Sequence, residues 1–285
     1  MKHDSPLRYP GGKAALAGLL IQIRKLNRLG DRPMAEPFAG GAGASLRLLF
    51  LEETSEIFLN DVDPAIHDLW WTIVNRPKQF VKLLDDTNIS LAEWNRQREI
   101  YRYKGRLSRL KRGFAAFYLN RCNRSGIIIN GGPIGGMNQT GKWKLDARYN
   151  KTELRRRCVK VAEYHERIHV SGQDGIEFIG SLDNHPTFFF IDPPYFIKGE
   201  TLYLNTLNQK YHAALANKLE SIDDTAWVLT YDDSPEIRKM YSGWATIRSF
   251  SLRYSASERR YGQELLIVPR WMQLPASQPS AALNW

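Results

Sequence analysis

The strongest constraint on the fold of this chain is an apolar run that ends abruptly. Residues 187–191 read Thr-Phe-Phe-Phe-Ile and are followed at once by Asp192-Pro193-Pro194-Tyr195. A run without polar alternation is typical of a strand that is covered on both faces. Two consecutive prolines cannot continue such a strand, because proline has no amide hydrogen to donate. The sequence therefore predicts a buried strand with a carboxylate, an unpaired carbonyl and an aromatic ring at its carboxyl end.

A second segment predicts a strand, a glycine turn and a helix. The apolar run 34–38 precedes Ala39-Gly40-Gly41-Ala42-Gly43, and the apolar spacing of residues 44–50 is helical. Glycines after a strand let the backbone approach a ligand closely. Asp61 follows the next predicted strand, where a carboxylate can accept hydrogen bonds from ribose hydroxyls. Together they predict a nucleoside-bearing cofactor; a packing turn and a helix cap are the alternatives.

Further short apolar runs indicate more strands, with helical patterns between several of them. These runs cover residues 56–59, 168–170, 226–229, 246–252 and 264–268. Strands that alternate with helices are typical of α/β proteins, in which helices cover both faces of a largely parallel sheet. In such sheets ligands bind outside the carboxyl ends of the strands.

Residues 63–150 interrupt this alternation. They begin with an aromatic segment at 67–71 whose pattern is typical of a helix. They end in a segment, 125–141, whose six glycines are too many for a helix interior. We therefore predict an inserted unit. The expected division is 1–62 and 151–272 for the sheet domain, 63–150 for the insertion and 273–285 for a poorly ordered, flexible tail.

The charge distribution indicates a polyanionic partner. The chain of 285 residues carries 40 Lys and Arg against 30 Asp and Glu, a net charge of +10. Residues 91–160 hold 18 of the basic and 4 of the acidic residues, a local balance of +14, so the rest of the chain is slightly acidic. A concentrated basic segment is expected of proteins that bind nucleic-acid phosphates. A solvated helix face is the alternative.

Other features exclude several classes of protein. No apolar run approaches the roughly 20 residues that a membrane helix needs, and the polar start lacks the apolar core of a signal peptide. The two cysteines, Cys122 and Cys158, form no CxxC pair and have no histidine cluster beside them. Neither a disulfide framework nor a structural zinc site is therefore expected. We expect a cytoplasmic protein with no membrane partner and no metal.

The residues after the buried strand suit a planar base with an exocyclic amine. Asp192 and the carbonyl of Pro193 supply two acceptors for the two amine hydrogens, and Tyr195 offers a face for stacking. Acceptors that draw both hydrogens out of the ring plane make the nitrogen a better nucleophile. A strand stop with a capping aspartate is the alternative, but it does not explain the tyrosine.

Four motifs, in this order, resemble those of Dam-like adenine-specific DNA methyltransferases of the DPPY type. They are Arg8-Tyr9-Pro10-Gly11-Gly12-Lys13, Glu36-Pro37-Phe38-Ala39-Gly40-Gly41, Asn60-Asp61 and Asp192-Pro193-Pro194-Tyr195. The resemblance implies a Rossmann-like class I methyltransferase sheet, S-adenosylmethionine as cofactor and double-stranded DNA as partner. It also implies in-line methyl transfer to the amine of an adenine that is extruded from the duplex. The chain departs from the family text at Ala42, where a second glycine is common.

The resemblance assigns roles to single residues. The implied cofactor-binding residues are Tyr9, Lys13, Phe38, Gly40, Gly41, Asp61, Asp174 and Asp192. Among them, Asp61 matches the acid that holds the ribose, and Asp174 falls where the family often has an acid near the adenine of the cofactor. The implied catalytic residues are Asp192, Pro193, Pro194 and Tyr195, with Tyr195 stacking on the flipped base.

The resemblance also implies that the insertion is a mostly helical target-recognition domain with a hairpin-like loop. Candidate base or phosphate contacts are Arg121, Asn123, Arg124, Asn138 and Gln139, with ordinary solvated loop residues as the alternative. Members that read GATC have an arginine where this chain has Ile129, and an aliphatic side chain cannot make a bidentate contact to guanine. We expect a target other than GATC, or a guanine contact supplied from elsewhere.

Three alternatives stay open at the level of the sequence. The amine of cytosine presents the same chemistry, although enzymes of that type more often have serine in place of Asp192. An RNA substrate is the second alternative. A non-catalytic DNA-binding relative is the third, and the presence of Lys13, Asp61 and the complete Asp-Pro-Pro-Tyr motif counts against it. The residues do not specify an oligomeric state; the expected host is a bacterial or phage-infected cell.

Overall fold

The computed structural model describes residues 4–8, 13–103, 105–182, 185–196, 208–222, 224–254, 260–276 and 283–284. Its helices, numbered in chain order, are α1 Ala17–Leu26, α2 Gly43–Phe50, α3 Pro64–Asn75, α4 Pro77–Asp86, α5 Leu91–Arg102, α6 Arg109–Cys122, α7 Lys151–Glu163, α8 Gly175–Ser181, α9 Gln209–Glu220 and α10 Pro235–Tyr241. A short 3₁₀ helix, Lys13–Leu16, precedes α1. Within the described ranges, no helix has the length and apolar character to cross a membrane.

An eight-stranded mixed sheet lies at the centre of the described structure. Its strands are β1 Met34–Glu36, β2 Ile57–Asn60, β3 Ile168–Ser171, β4 Phe188–Ile191, β5 Trp227–Asp232, β6 Ala245–Tyr254, β7 Arg260–Pro269 and β8 Leu283–Asn284. Their spatial order is β3-β2-β1-β4-β5-β7-β6-β8. Strands β1 to β5 are parallel, whereas β7 pairs antiparallel with both β5 and β6. Every strand predicted from an apolar run is confirmed.

Strand β4 shows why both faces of the sheet are covered. Because side chains alternate along a strand, its apolar run points in both directions. Phe188 and Phe190 belong to one hydrophobic cluster, which includes residues of α1, α2 and α3. Phe189 and Ile191 belong to a second cluster, with residues of α8, α9 and α10. The predicted α/β fold with helices on both faces is confirmed, and full burial of each such side chain contributes about 1.5–3 kcal/mol.

The chain between β2 and β3 contains α3 to α7, with a long loop between α6 and α7. Leu69 and Trp70 of α3 lie in the same hydrophobic cluster as Met34 of β1. A continuous core therefore crosses the predicted boundary at residue 63, and the division into a sheet domain and an insertion remains a proposal.

Within the predicted flexible tail, 273–285, residues 277–282 and 285 lie outside the described residues. Of its described part, Gln273 donates its backbone N–H to Asn27 Oδ1 (2.8 Å), which anchors it beside α1. Strand β8 pairs antiparallel with β6.

Gly113 allows α3 and α6 to cross closely. A Cβ at this position would lie 2.6 Å from the backbone nitrogen of Leu69 and 2.7 Å from the carbonyl carbon of Asp68. Both atoms belong to the backbone of α3, so a larger residue would force the helices apart.

We expect Gly113→Ala to lower the free energy of unfolding by about 1–3 kcal/mol, because overpacking outweighs the helix propensity that alanine adds. Urea denaturation followed by circular dichroism measures this change. Gly132→Ala is the matched control, since a Cβ there meets no atom of the described residues within 4 Å. If Gly113→Ala were as stable as the wild type, the close helix crossing would be wrong.

Candidate active site

Acidic residues mark the carboxyl ends of the five parallel strands. Glu36 and Asp232 are the last residues of β1 and β5, Asp61 and Asp192 come directly after β2 and β4, and Asp174 follows β3. Parallel strands end at the same edge of a sheet, where α/β proteins bind their ligands. Since β1 and β4 are neighbours, the glycine turn and the Asp-Pro-Pro-Tyr segment leave the sheet side by side.

The glycine turn joins β1 to α2 through left-handed backbone. Gly40 has a φ of 45° and Ala42 a φ of 47°. Ala42 donates its N–H to the carbonyl of Ala39 (2.6 Å), and Ser5 Oγ donates to the carbonyl of Gly41 (2.6 Å). The left-handed conformation costs a non-glycine residue about 1–2 kcal/mol. The turn adopts this conformation with alanine at the position where the family text commonly has glycine.

Glu36 binds the first turn of α2 through a backbone hydrogen bond. Its Oε1 accepts the backbone N–H of Ser45 at 2.8 Å, and the side chain is buried. Burial raises the pKa of Glu36 to about 7, and the charge of Asp192 adds to this shift, while the contacts with Ser45 oppose it. In the sequence Glu36 belongs to a motif but has no predicted role of its own, and the signal for this role is its position as the last residue of β1.

Asp61 connects β2 to the glycine turn. Its Oδ2 accepts the N–H of Gly40 at 2.9 Å, and its Oδ1 accepts the N–H of Asp63 at 3.0 Å. Burial, followed by the nearby charge of Asp63, raises the pKa of Asp61 to about 7. Asp63, not Asp61, is the residue that caps α3, since its side chain accepts the N–H of Ala65. The helix-cap alternative for Asp61 is therefore wrong.

Asn60, the last residue of β2, forms hydrogen bonds with the end of β3 and with the loops that follow the neighbouring strands β1 and β3. Its Nδ2 donates to the carbonyls of Pro37 (2.9 Å) and Gln173 (3.0 Å). Its Oδ1 accepts from Ser171 Oγ (2.7 Å) and from the N–H of Gln173 (2.9 Å). Because all these contacts are buried or partly buried, Asn60 fixes the geometry on either side of Asp61.

Phe38 and Asp174 meet at Gly175. A Cβ on Gly175 would lie 2.5 Å from Phe38 Cζ, so the phenyl ring packs directly on the backbone of that glycine. Asp174 accepts the N–H of Ile176 at 2.9 Å and caps α8. The structure thus brings Phe38, which precedes the glycine turn, next to the start of α8 and its capping Asp174.

Lys13 lies among the residues of the Asp-Pro-Pro-Tyr segment. Its buried ammonium donates to Tyr195 Oη at 2.7 Å and to Glu264 Oε2 at 2.8 Å, and lies 3.3 Å from Asp192 Oδ1. Tyr195 Oη in turn donates to Glu264 Oε1. Glu264, on β7, is only 1 % exposed. The sequence assigned no role to Glu264, although it is the first residue of the predicted strand 264–268.

Asp192 is placed between a cation and a hydroxyl. Thr230 Oγ1 donates to its Oδ1 at 2.7 Å, and Lys13 approaches the same oxygen. Burial raises the pKa of Asp192, Lys13 opposes this shift, and the charge of Glu264 adds to it. Of the two prolines that follow, Pro193 is buried and Pro194 is half-buried.

The segment before the 3₁₀ helix contacts α6. Asn120 Oδ1 accepts the N–H of Arg8 at 2.8 Å, and Asn120 Nδ2 donates to the carbonyl of Arg8 at 2.7 Å. A Cβ on Gly126 would lie 2.2 Å from Arg8 O, so glycine is required there. Tyr9, the predicted cofactor contact that follows Arg8, lies outside the described residues.

Two of the predicted DNA contacts point into the protein. Arg121 is 7 % exposed, and its Nε donates to the carbonyl of Arg148 at 2.8 Å. Burial lowers the pKa of Arg121 to about 9. Asn123 is 1 % exposed, accepts Trp94 Nε1–H at 2.6 Å and donates to the carbonyl of Ile127 at 2.7 Å. In this arrangement both side chains support the loop from inside.

The other predicted DNA contacts lie on the loop surface. Arg124 and Asn138 are exposed. Gln139 is half-buried, and its Nε2 donates to the carbonyls of Ile134 and Gly136 (2.8 and 2.7 Å). Its amide group is therefore engaged in hydrogen bonds within the loop. An antiparallel bridge between Asn123 and Pro133 gives the loop hairpin-like ends.

A cavity of about 560 Å³ separates this loop from α5. Its lining includes Arg98, Arg102 and Tyr103 from α5 and its end, with Ile129 and Met137 from the loop. Arg98 and Arg102 belong to the basic segment 91–160, but a charged helix face gives no signal in the sequence of the cavity beside it. Among the described residues, no three His, Cys, Asp or Glu side chains are grouped so that they could hold a metal ion.

The chain matches the model of one protein family over residues 9–256. That family is described as D12 class N6 adenine-specific DNA methyltransferase. The match covers most of the chain, which therefore belongs to this family and is an enzyme that methylates the amine of adenine in DNA. No curated protein matched the chain significantly. The family confirms the resemblance drawn from the four motifs and favours adenine in DNA over the cytosine and RNA alternatives.

The buried carboxyl group of Glu36 makes a testable contribution to pH-dependent stability. The folded protein binds this proton more tightly than the unfolded chain, because burial raises the pKa from 4.5 to about 7. The resulting stabilisation is present below pH 4.5 and is lost as the pH rises to about 7.

We expect Glu36→Gln to gain stability relative to the wild type between pH 4.5 and 8, by at most about 3 kcal/mol, since glutamine does not ionise. Denaturation curves at several pH values measure this difference. Glu177→Gln, which changes an exposed glutamate, is the matched control. Parallel pH profiles for Glu36→Gln and the wild type would show that the buried carboxyl does not titrate in this range.

Proposed function

We propose that S-adenosylmethionine is the methyl donor and binds in the crevice beside the glycine turn and Asp61. Its fit is supported by the carboxylate of Asp61, which the N–H of Gly40 orients at 2.9 Å. Ribose hydroxyls that donate to this carboxylate would stabilise its charged form, which burial otherwise disfavours. The proposed cofactor residues are Tyr9, Lys13, Phe38, Gly40, Gly41, Asp61, Asp174 and Asp192.

When bound, the cofactor supplies a methyl group that its sulfonium has already activated. The protein is then required to align the adenine amine and to hold the charge that develops on nitrogen. We assign this task to Asp192 and the carbonyl of Pro193, each accepting one amine hydrogen. Among the described residues, both groups that contact the carboxylate, Thr230 and Lys13, reach Oδ1. This leaves Asp192 Oδ2 as the acceptor for the amine.

The proton balance gives Asp192 a second role. The amine nitrogen forms a bond to the methyl carbon while the carbon–sulfur bond breaks, so one amine proton must leave. Asp192 lies next to that nitrogen in this arrangement, and burial raises its pKa, which suits a group that holds a proton briefly. Lys13 and Thr230 keep the carboxylate from rotating.

Base flipping is part of the proposal, because an adenine inside a duplex cannot reach a strand-end pocket. Unstacking costs a few kcal/mol, which contacts to DNA must offset. Tyr195 would provide the stacking face for the flipped base. Its hydroxyl is fixed by Lys13 and Glu264, which leaves the ring as the part that can meet the base.

We further propose that residues 63–150 recognise the target, in agreement with the basic excess of this region. The exposed Arg124 and Asn138 are the proposed direct contacts, and the arginines of α5 beside the cavity extend this surface. Gln139, Arg121 and Asn123 would act indirectly by shaping the loop. Ile129 at the cavity wall supports a target other than GATC. The proposed location is the cytoplasm of a bacterial or phage-infected cell.

The proposal is supported mainly by one observation: the residues proposed to bind the cofactor and those proposed to bind adenine lie together at one edge of the sheet. Asp61 is hydrogen-bonded to the glycine turn, and Asp192 follows β4 next to that turn. One carboxylate is placed for a cofactor and the other for the methyl acceptor, so two variants separate their roles.

We expect Asp192→Ala to lower methyl transfer to duplex DNA at least about 10³-fold, while Asp61→Ala raises the Kd for S-adenosylmethionine at least about 10-fold. Base-resolved sequencing of methylated DNA and isothermal titration calorimetry measure the two effects, and sequencing also gives the target motif. Asp233→Asn is the matched control, because that carboxylate binds Arg238 (2.7 Å).

Duplex binding of Asp192→Ala should stay close to that of the wild type. Equal loss of DNA binding and methyl transfer would contradict the role of Asp192. Unchanged cofactor affinity in Asp61→Ala would contradict the proposed cofactor site.

A further inference from the structure

Glu264 contacts two members of the active site without belonging to either proposed set of residues. It lies on β7, directly opposite Asp232 in the antiparallel pair with β5. Its Oε2 accepts from Lys13 Nζ at 2.8 Å, and its Oε1 accepts from Tyr195 Oη. Both carboxylate oxygens are therefore used, one for each of these residues.

Lys13 is shared unequally between two carboxylates. Its ammonium lies 2.8 Å from Glu264 and 3.3 Å from Asp192. The Lys13 and Glu264 side chains are 5 % and 1 % exposed, whereas the Asp192 side chain is 25 % exposed. Lys13 and Glu264 thus form a buried ion pair, and Asp192 lies at its more exposed edge.

Removal of Glu264 would change the surroundings of Asp192 in a defined direction. A buried ammonium that loses one partner moves toward the remaining anion, because an unpaired buried charge is costly. Lys13 would then form a close ion pair with Asp192. Such a pair weakens the carboxylate as an acceptor for the adenine amine and as a holder of its proton.

We propose that Glu264 is a positioning residue that binds Lys13 more closely than Asp192 does and so limits the ion pair between Lys13 and Asp192, which leaves Asp192 its acceptor strength for the methyl-accepting amine. This inference rests on the proposed role of Asp192. The ion pair between Glu264 on β7 and Lys13 on the 3₁₀ helix then influences turnover, although Glu264 itself does not contact the substrate.

The groups that face Asp192 come from four elements. Lys13 belongs to the 3₁₀ helix and Glu264 to β7, and both act on the Asp192 charge. Glu36 on β1 and Tyr231 on β5 interact with that charge as well. Glu264 is the group whose negative charge both raises the pKa of Asp192 and neutralises Lys13, so its removal has a predictable sign.

The test compares Glu264→Gln with the wild type in steady-state methyl transfer. We expect kcat to fall about 10- to 100-fold, while the KM values for DNA and S-adenosylmethionine change little. The acid limb of the kcat profile should move to lower pH, because loss of the Glu264 charge lowers the pKa of Asp192. A purely structural role would not move this limb.

A double-mutant cycle with Lys13→Gln shows whether Glu264 acts through Lys13. If it does, Glu264→Gln should change kcat by less than about 3-fold in the Lys13→Gln background. The double variant loses both buried charges and is expected to fold even where Glu264→Gln alone does not. Asp233→Asn serves again as the control for loss of a carboxylate at this end of the sheet.

Three results would each overturn the inference: wild-type kcat in Glu264→Gln, an unshifted acid limb, or additive losses in the cycle. Failure of the proposed function looks different, since it would appear as an active Asp192→Ala enzyme. The two ideas can therefore fail separately.

Discussion

Carboxylates gathered at one sheet edge repel one another, and the site depends on the groups that offset this repulsion. Glu36 and Asp61 are held by backbone N–H donors from the turn and the helices beside them. Asp192 and Glu264 instead share the ammonium of Lys13. A buried charge without such a partner costs several kcal/mol. The contacts that stabilise these charges therefore also fix the glycine turn, the strand ends and the Asp-Pro-Pro-Tyr segment relative to one another.

Much of this arrangement can be predicted from local sequence pattern. Unbroken apolar runs locate the strands, and the positions of Asp61 and Asp192 follow because parallel strands end at one edge. The contact between Lys13 and Glu264 cannot be predicted in this way. It requires β7 to enter the sheet antiparallel between β5 and β6, and side-chain alternation within a strand carries no information about its neighbours in the sheet.

Exposure along the recognition loop is the second property that local pattern does not supply. Arginine and asparagine are mostly exposed in proteins, which favours Arg121 and Asn123 as contacts to DNA. The end of α6 is instead covered by the loop that follows it, so these side chains are buried and bind backbone carbonyls of the loop and its surroundings. Arg124, directly after them, reaches solvent because the chain has left the helix there. Only the tertiary packing of α6 distinguishes these neighbours.

The strand order has a consequence for synthesis of the protein on the ribosome. Lys13 and Glu264 are separated by 251 positions, and β7 fits between two strands that are translated before it. A nascent chain therefore carries Asp61 and Asp192 well before Glu264 leaves the exit tunnel. During that interval Asp192 is present and Glu264 is not, and the sheet has a gap next to β5. The active centre is completed only when β7 enters the sheet, so its assembly waits for a strand that is translated long after Lys13, Asp61 and Asp192.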